Sequence, residues 1–92
     1  MNVVNTHQTA IEPFVNQLEE IHPIAFRLAF GLTHEAAAEE LGLEPQTMRS
    51  YLRKNPSRRV RRLAATIAKR WLAEGRPLVN EEHLVPYSSS YV

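Results

Sequence analysis

THEAAAEELGLEPQTMRSYLRK, residues 33–54, carries the start, stop and restart signals of two short helices, and the rest of the chain is read outward from it. Thr33 is suited to cap a helix through its hydroxyl, and the Ala- and Glu-rich run that follows favours helix until Gly42. Gly42 stands where the backbone needs a left-handed turn without steric cost. Pro45 then suits the first position of a new helix, where a missing N–H loses no intrahelical bond. Ala37 and Ala38 are small enough to let two helices approach. Leu41, Leu43, Met48 and Tyr51 or Leu52 recur at the spacing of one buried stripe.

The second helix has a complementary polar face. Gln46, Arg49, Ser50 and Arg53 stand at i, i+3, i+4 and i+7, so one side of the helix carries four hydrogen-bonding side chains. Such a face suits the major groove of double-stranded DNA. Arg pairs bidentately with guanine O6 and N7, and Gln with adenine N6 and N7. These four are the candidate base-reading residues.

The run LAFGLTHEAAAEELGLEPQTMRSYLRK, residues 28–54, resembles the helix-turn-helix of LuxR/GerE-type regulators and is similar to region 4 of sigma factors. The resemblance rests on Ala38 four residues before Gly42, the LGL turn, the PQT opening of the second helix and the Arg-Ser-Tyr-Leu-Arg that follows. It implies sequence-specific DNA binding by a small transcriptional regulator. It also implies a preceding helix that packs across the pair and positions it, a role that falls to PIAFRLAF, residues 23–30. Glu44 departs from the family, which usually has Ser, Thr or Asp capping the second helix; Glu caps less well.

Charge supports a polyanionic partner. The net +1 conceals a division: residues 1–48 hold Arg27 against seven Glu, a balance of −6, whereas residues 49–76 hold ten basic residues against Glu74, a balance of +9. Segregation of this kind points one half of the molecule at a polyanion. Arg53, Lys54 and the RRVRR run place six basic side chains within ten residues. Lys54, Arg58, Arg59, Arg61 and Arg62, with Thr33 and Thr47, are the candidate phosphate contacts, which supply affinity without sequence information. Consecutive arginines point around a helix, so not all of them can face one duplex.

Outside the motif, a flexible terminus is expected over residues 1–12 and a DNA-binding domain over 13–76. An amphipathic helix from Glu12 or Pro13 buries Phe14, Val15, Leu18 and Ile21 and breaks at His22-Pro23. After the turn Asn55-Pro56-Ser57, a long helix from Arg58 to Glu74 is bounded by Gly75 and Pro77. Its stripe of Val60, Leu63, Ile67 and Trp71 is long enough to meet a second subunit as well as a core, which makes a homodimer the expected assembly. In the tail, residues 77–92, Leu78, Val79, Leu84 and Val85 could dock on the bundle or a partner, and YSSSYV reads as flexible.

The expected fold is therefore all-α, a compact domain of four to five helices. Ninety-two residues suit one domain, and the absence of Cys leaves its core to packing alone. No apolar run approaches a membrane span and no signal-peptide pattern opens the chain, so a cytoplasmic, nucleoid-associated place in a bacterial or phage setting is expected. His34-Glu35 opens like a zinc-protease motif, but position 38 is Ala rather than the second ligand. The four His lack ligand spacing, and no phosphate loop or nucleophile setting is visible, so neither enzyme nor cofactor is expected. The alternatives are a module docking on polymerase or another regulator, and a DNA-binding accessory of a phage or mobile element.

Overall fold

The structure, a computed structural model, describes residues 17–88; the terminus at 1–12, Phe14, Val15 and residues 89–92 lie outside it. Four α-helices occur among the described residues: α1 (Pro23–Ala29), α2 (His34–Leu41), α3 (Pro45–Ser50) and α4 (Arg58–Ala73). A 3-10 turn follows at Glu81–His83. Among the described residues no helix is long and apolar enough to cross a membrane.

Local chemistry sets the helix ends. Thr33 Oγ1 accepts from the Ala36 amide at 3.0 Å, and Ser57 Oγ accepts from Val60 at 3.3 Å, so both helices begin on a hydroxyl cap. α2 stops at Gly42, with φ 68° and ψ 33°. There the Leu43 amide donates to the Ala38 carbonyl at 2.8 Å and the Gly42 amide to Glu39 at 3.3 Å, the two bonds of a Schellman ending. Pro45 opens α3 as expected, and Glu44 provides no side-chain cap.

α1 is the centre. Pro23, Ile24, Ala25, Phe26 and Ala29 are buried, and Phe26 and Phe30 pack on Trp71 of α4 with ring centroids 5.3 and 5.0 Å away, the latter edge-on. Buried Ala37, Ala38, Ala64, Ala65 and Ala68 add little bulk where helices meet. Met48 and Tyr51 are buried and Leu52 is 56% exposed, so Tyr51 and not Leu52 completes the inward stripe of the second helix.

One region departs from expectation. The segment before His22 was expected to be helical to Ile21, but residues 18–22 are not helical. Leu18 and Ile21 are fully buried without a helix. The Ile21 amide donates to the Arg61 carbonyl at 3.0 Å, and the Glu20 carbonyl accepts from Tyr87 at 2.7 Å. Tertiary partners have taken the backbone groups that a helical ladder would use, and the apolar spacing of 18 and 21 is satisfied either way.

The tail after residue 76 is part of the folded body. The amides of Val79 and Asn80 donate to the Ala29 carbonyl at 2.8 and 3.1 Å, and Asn80 Nδ2 donates to Leu28 O at 2.9 Å. These bonds satisfy carbonyls that α1 leaves open at its end. Val79 lies against Gly31, where a Cβ would come within 2.7 Å of its side chain, so only glycine fits. The tail then runs back along α1, burying Leu84, and reaches the other end, where the Tyr87 ring stacks on His22 at 6.0 Å.

Candidate nucleic-acid interface

The exposed side of α3 carries Gln46 and Arg49, and Arg53 is exposed just beyond it. α3 itself ends at Ser50. The Leu52 amide donates to Arg49 O and the Arg53 amide to Ser50 O, both at 3.0 Å, so the last turn tightens. That tightening moves Arg53 off the line that an uninterrupted α-helix would draw from Gln46. Ser50 is half-buried and its hydroxyl donates to the Thr47 carbonyl at 2.6 Å. Its proton is committed to the backbone, which leaves it acceptor lone pairs only.

Arg49 is paired. Its guanidinium meets the Glu35 carboxylate across the gap between α3 and the first turn of α2. Glu35 accepts its own backbone amide as well as Arg49, and the two hold its carboxyl below the usual range, against a smaller penalty from burial. His34 lies at the start of α2 with its ring pKa lowered, first by burial and then by the charges of Arg27 and Arg49. Arg27 is tied down by a 2.8 Å bond from Nη1 to the Leu32 carbonyl.

The basic run at the start of α4 divides sharply. Arg61 points inward and is held from three sides. Nε donates to Glu20 at 2.7 Å, Nη1 donates to the Pro56 carbonyl at 2.7 Å, and the guanidinium lies 4.4 Å from the centre of the Tyr87 ring. Expected among the phosphate contacts, Arg61 lies instead where the 20–22 segment, α4 and the tail meet, and joins them as a clamp. Arg58 reaches the same carboxylate at 3.5 Å but remains largely exposed. The pKa of Glu20 is lowered, chiefly by the Arg61 hydrogen bond.

Arg53, Lys54, Arg59 and Arg62 are exposed, and none forms an ion pair among the described residues. Lys54 and Arg58 are four residues apart, so their Cα atoms lie within about 14 Å of one another. The free cations thus continue outward from the end of α3. Thr33 is exposed; its hydroxyl accepts from Ala36 and keeps its own proton to donate. Thr47 is half-buried, with its carbonyl taken by Ser50.

The proposed dimer stripe is spent internally. Val60, Ile67 and Trp71 are buried in the chain's own core, and only Leu63 of that set keeps partial exposure. α4 needs its whole apolar side to cover α1 and α2, and the arginine-rich side faces solvent.

Sequence reasoning missed Glu20, Glu35 and Tyr87. Their partners lie 41 and 14 residues away for the two carboxylates, spacings that carry no helical or strand period. Comparison with family models, with curated proteins and with solved structures found no match.

Proposed function

We propose that α2, the Gly42 turn and α3 form a helix-turn-helix, and that the protein binds double-stranded DNA with α3 in the major groove, as a small transcriptional regulator. The observation that carries this reading is the set of four exposed cations, Arg53, Lys54, Arg59 and Arg62, which follow α3 in the chain and form no ion pair among the described residues. A second feature supports it. Four arginines occupy the first turns of α4, the end where the helix dipole is positive and cations are unfavourable. Glu20 pairs with Arg58 and Arg61 and feels the charge of Arg62 as well, and a phosphate backbone would offset the positive charge that remains.

On this reading Gln46 and Arg49 meet base edges, Arg53 reaches the groove or its flanking phosphate, and Ser50 serves as an acceptor. Lys54, Arg58, Arg59 and Arg62 position the protein on phosphates, with Thr33 and Thr47 as hydroxyl donors. A symmetric dimer would set two recognition helices ~34 Å apart, and it would need a surface other than the buried Val60, Ile67 and Trp71. The docking alternative draws on Leu52, an apolar side chain 56% exposed and followed by Arg53 and Lys54, which suits an acidic protein surface.

Selection of bound duplexes from a random pool, followed by salt titration on the selected site, decides between the two. DNA reading is expected to yield a defined motif, whose symmetry reports the assembly. Arg49→Ala is expected to flatten preference among sequences, with a loss of ~1 to 3 kcal/mol of discrimination. Arg62→Ala should weaken all sequences alike and lower the salt slope by about one. Absence of duplex binding at low salt would defeat the proposal.

A further inference from the structure

The Glu35–Arg49 pair links the first turn of α2 to α3 through side chains that are 59% and 46% exposed. Exposed ion pairs contribute little to stability. This one nevertheless restrains the residue that the DNA reading assigns to a base edge. Resting on that reading, we infer that Glu35 is a positioning and specificity-determining residue, which holds the Arg49 guanidinium by one side and presents the remainder, already ordered, to a guanine.

The donor arithmetic allows both contacts at once. Arginine carries five N–H donors in a fixed planar fork, and the bond to Glu35 comes from Nη2. A bidentate contact to guanine O6 and N7 takes two others. Holding a long side chain in one orientation before binding removes part of the ordering cost that association would otherwise meet.

The carboxylate also acts against wrong arrangements. Arg49 detached from Glu35 could swing to a phosphate, a contact that every sequence offers equally. With Glu35 in place, that movement abandons an ion pair and leaves a negative charge facing the DNA backbone. Discrimination is raised by penalising the competing mode as well as by favouring the intended one.

The test uses the full chain and two duplexes, the selected site and the same site with the guanine contacted by Arg49 replaced. Glu35→Ala, Glu35→Gln, Arg49→Ala and the double variant Glu35→Ala/Arg49→Ala are compared with the unsubstituted protein. Glu35→Ala is expected to lower the affinity ratio between the duplexes roughly three- to tenfold, the equivalent of ordering one long side chain. Its affinity for the replaced site should stay level or rise, because a negative charge has left the DNA-facing surface. In the Arg49→Ala background, Glu35→Ala should leave the ratio unchanged. Glu35→Gln keeps the side-chain length and an acceptor, should retain part of the ratio, and covers the case in which the Ala variant fails to fold.

A ratio preserved in both Glu35 variants overturns the inference, as does a ratio that rises, which would make the carboxylate a competitor of the base. A loss of equal size with and without Arg49 overturns it too, because the effect would then be general. Lack of any preference in the unsubstituted protein defeats the DNA reading and this inference together, and that result is visible before any variant is compared.

Discussion

Two Glu–Arg pairs among the described residues, Glu20–Arg61 and Glu35–Arg49, share one chemistry in opposite settings. Glu20 and Arg61 meet where three segments converge, under the Tyr87 ring and beside the Pro56 carbonyl, with only 19% of the arginine side chain exposed. Glu35 and Arg49 meet at the surface between α2 and α3, and each keeps about half of its side chain in water. The first arginine is bonded to a carboxylate and a backbone carbonyl beneath an aromatic ring, with little of its side chain in water, so it holds the fold. The second has free donors and solvent around it, so it is available to a ligand. What separates an engaged cation from an open one here is not residue type or position in a basic run, since Arg61 and Arg62 are neighbours. It is how much of the guanidinium the tertiary structure has already engaged.

The contrast can be broken most forcefully at the clamp. Leu84 is 3% exposed where the tail crosses α1, and Leu84→Ala is expected to cost about 3 kcal/mol. Thermal unfolding would register this as a fall of well over ten degrees for a domain of this size. A negligible change would show that the tail is an appendage and not part of the core.

Arg61→Ala comes next, with an expected loss of about 2 kcal/mol from its hydrogen bond to Pro56 and its contact with the Tyr87 ring. Arg49→Ala should cost under about 0.5 kcal/mol of stability, as exposed pairs do. Urea unfolding of the two variants in parallel measures the difference directly; equal losses would erase the distinction between the pairs.

Acid sharpens the same comparison with a smaller effect. His22 is buried, its Nδ1 accepts from the Ile24 amide at 3.1 Å, and burial, then the charge of Arg61, lowers its pKa from an ordinary 6.5. The unfolded chain therefore binds this proton more readily, and stability should fall as pH drops below about 6.5. Glu20 acts in the same direction lower down. Its pKa is lowered from 4.5, so its contribution is present above that value and is lost as the pH falls through it. Replacing His22 by Gln, which can still accept from Ile24, should remove the upper part of the decline while leaving the lower. Persistence of the upper part in His22→Gln would assign it to another group.

Much of the helical framework was legible before folding was considered. Thr33, Gly42, Pro45 and Ser57 act through bonds to residues at most five positions away, and such chemistry is written locally. The inward stripe of Met48, Ile67 and Trp71 follows from the 3.6-residue period. The same period offered two choices for Tyr51 and Leu52, and only packing separated them. At residues 18–22 the apolar spacing was right and the element was wrong, because the competing hydrogen bonds come from Arg61 and Tyr87, far along the chain.

By itself, then, the amino-acid sequence determined where α1, α2 and α4 start and stop and where α3 starts, which of their faces are apolar, and that positive charge is concentrated after residue 48. Only the tertiary structure decided that the tail closes α1, that the stripe of α4 is consumed within one chain, and which arginines remain open to a ligand. The physical reason is range. Caps, turns and amphipathic periods are set within one or two helical turns, whereas the partner of a guanidinium is whichever carboxylate, carbonyl or ring the completed fold brings within a few ångströms.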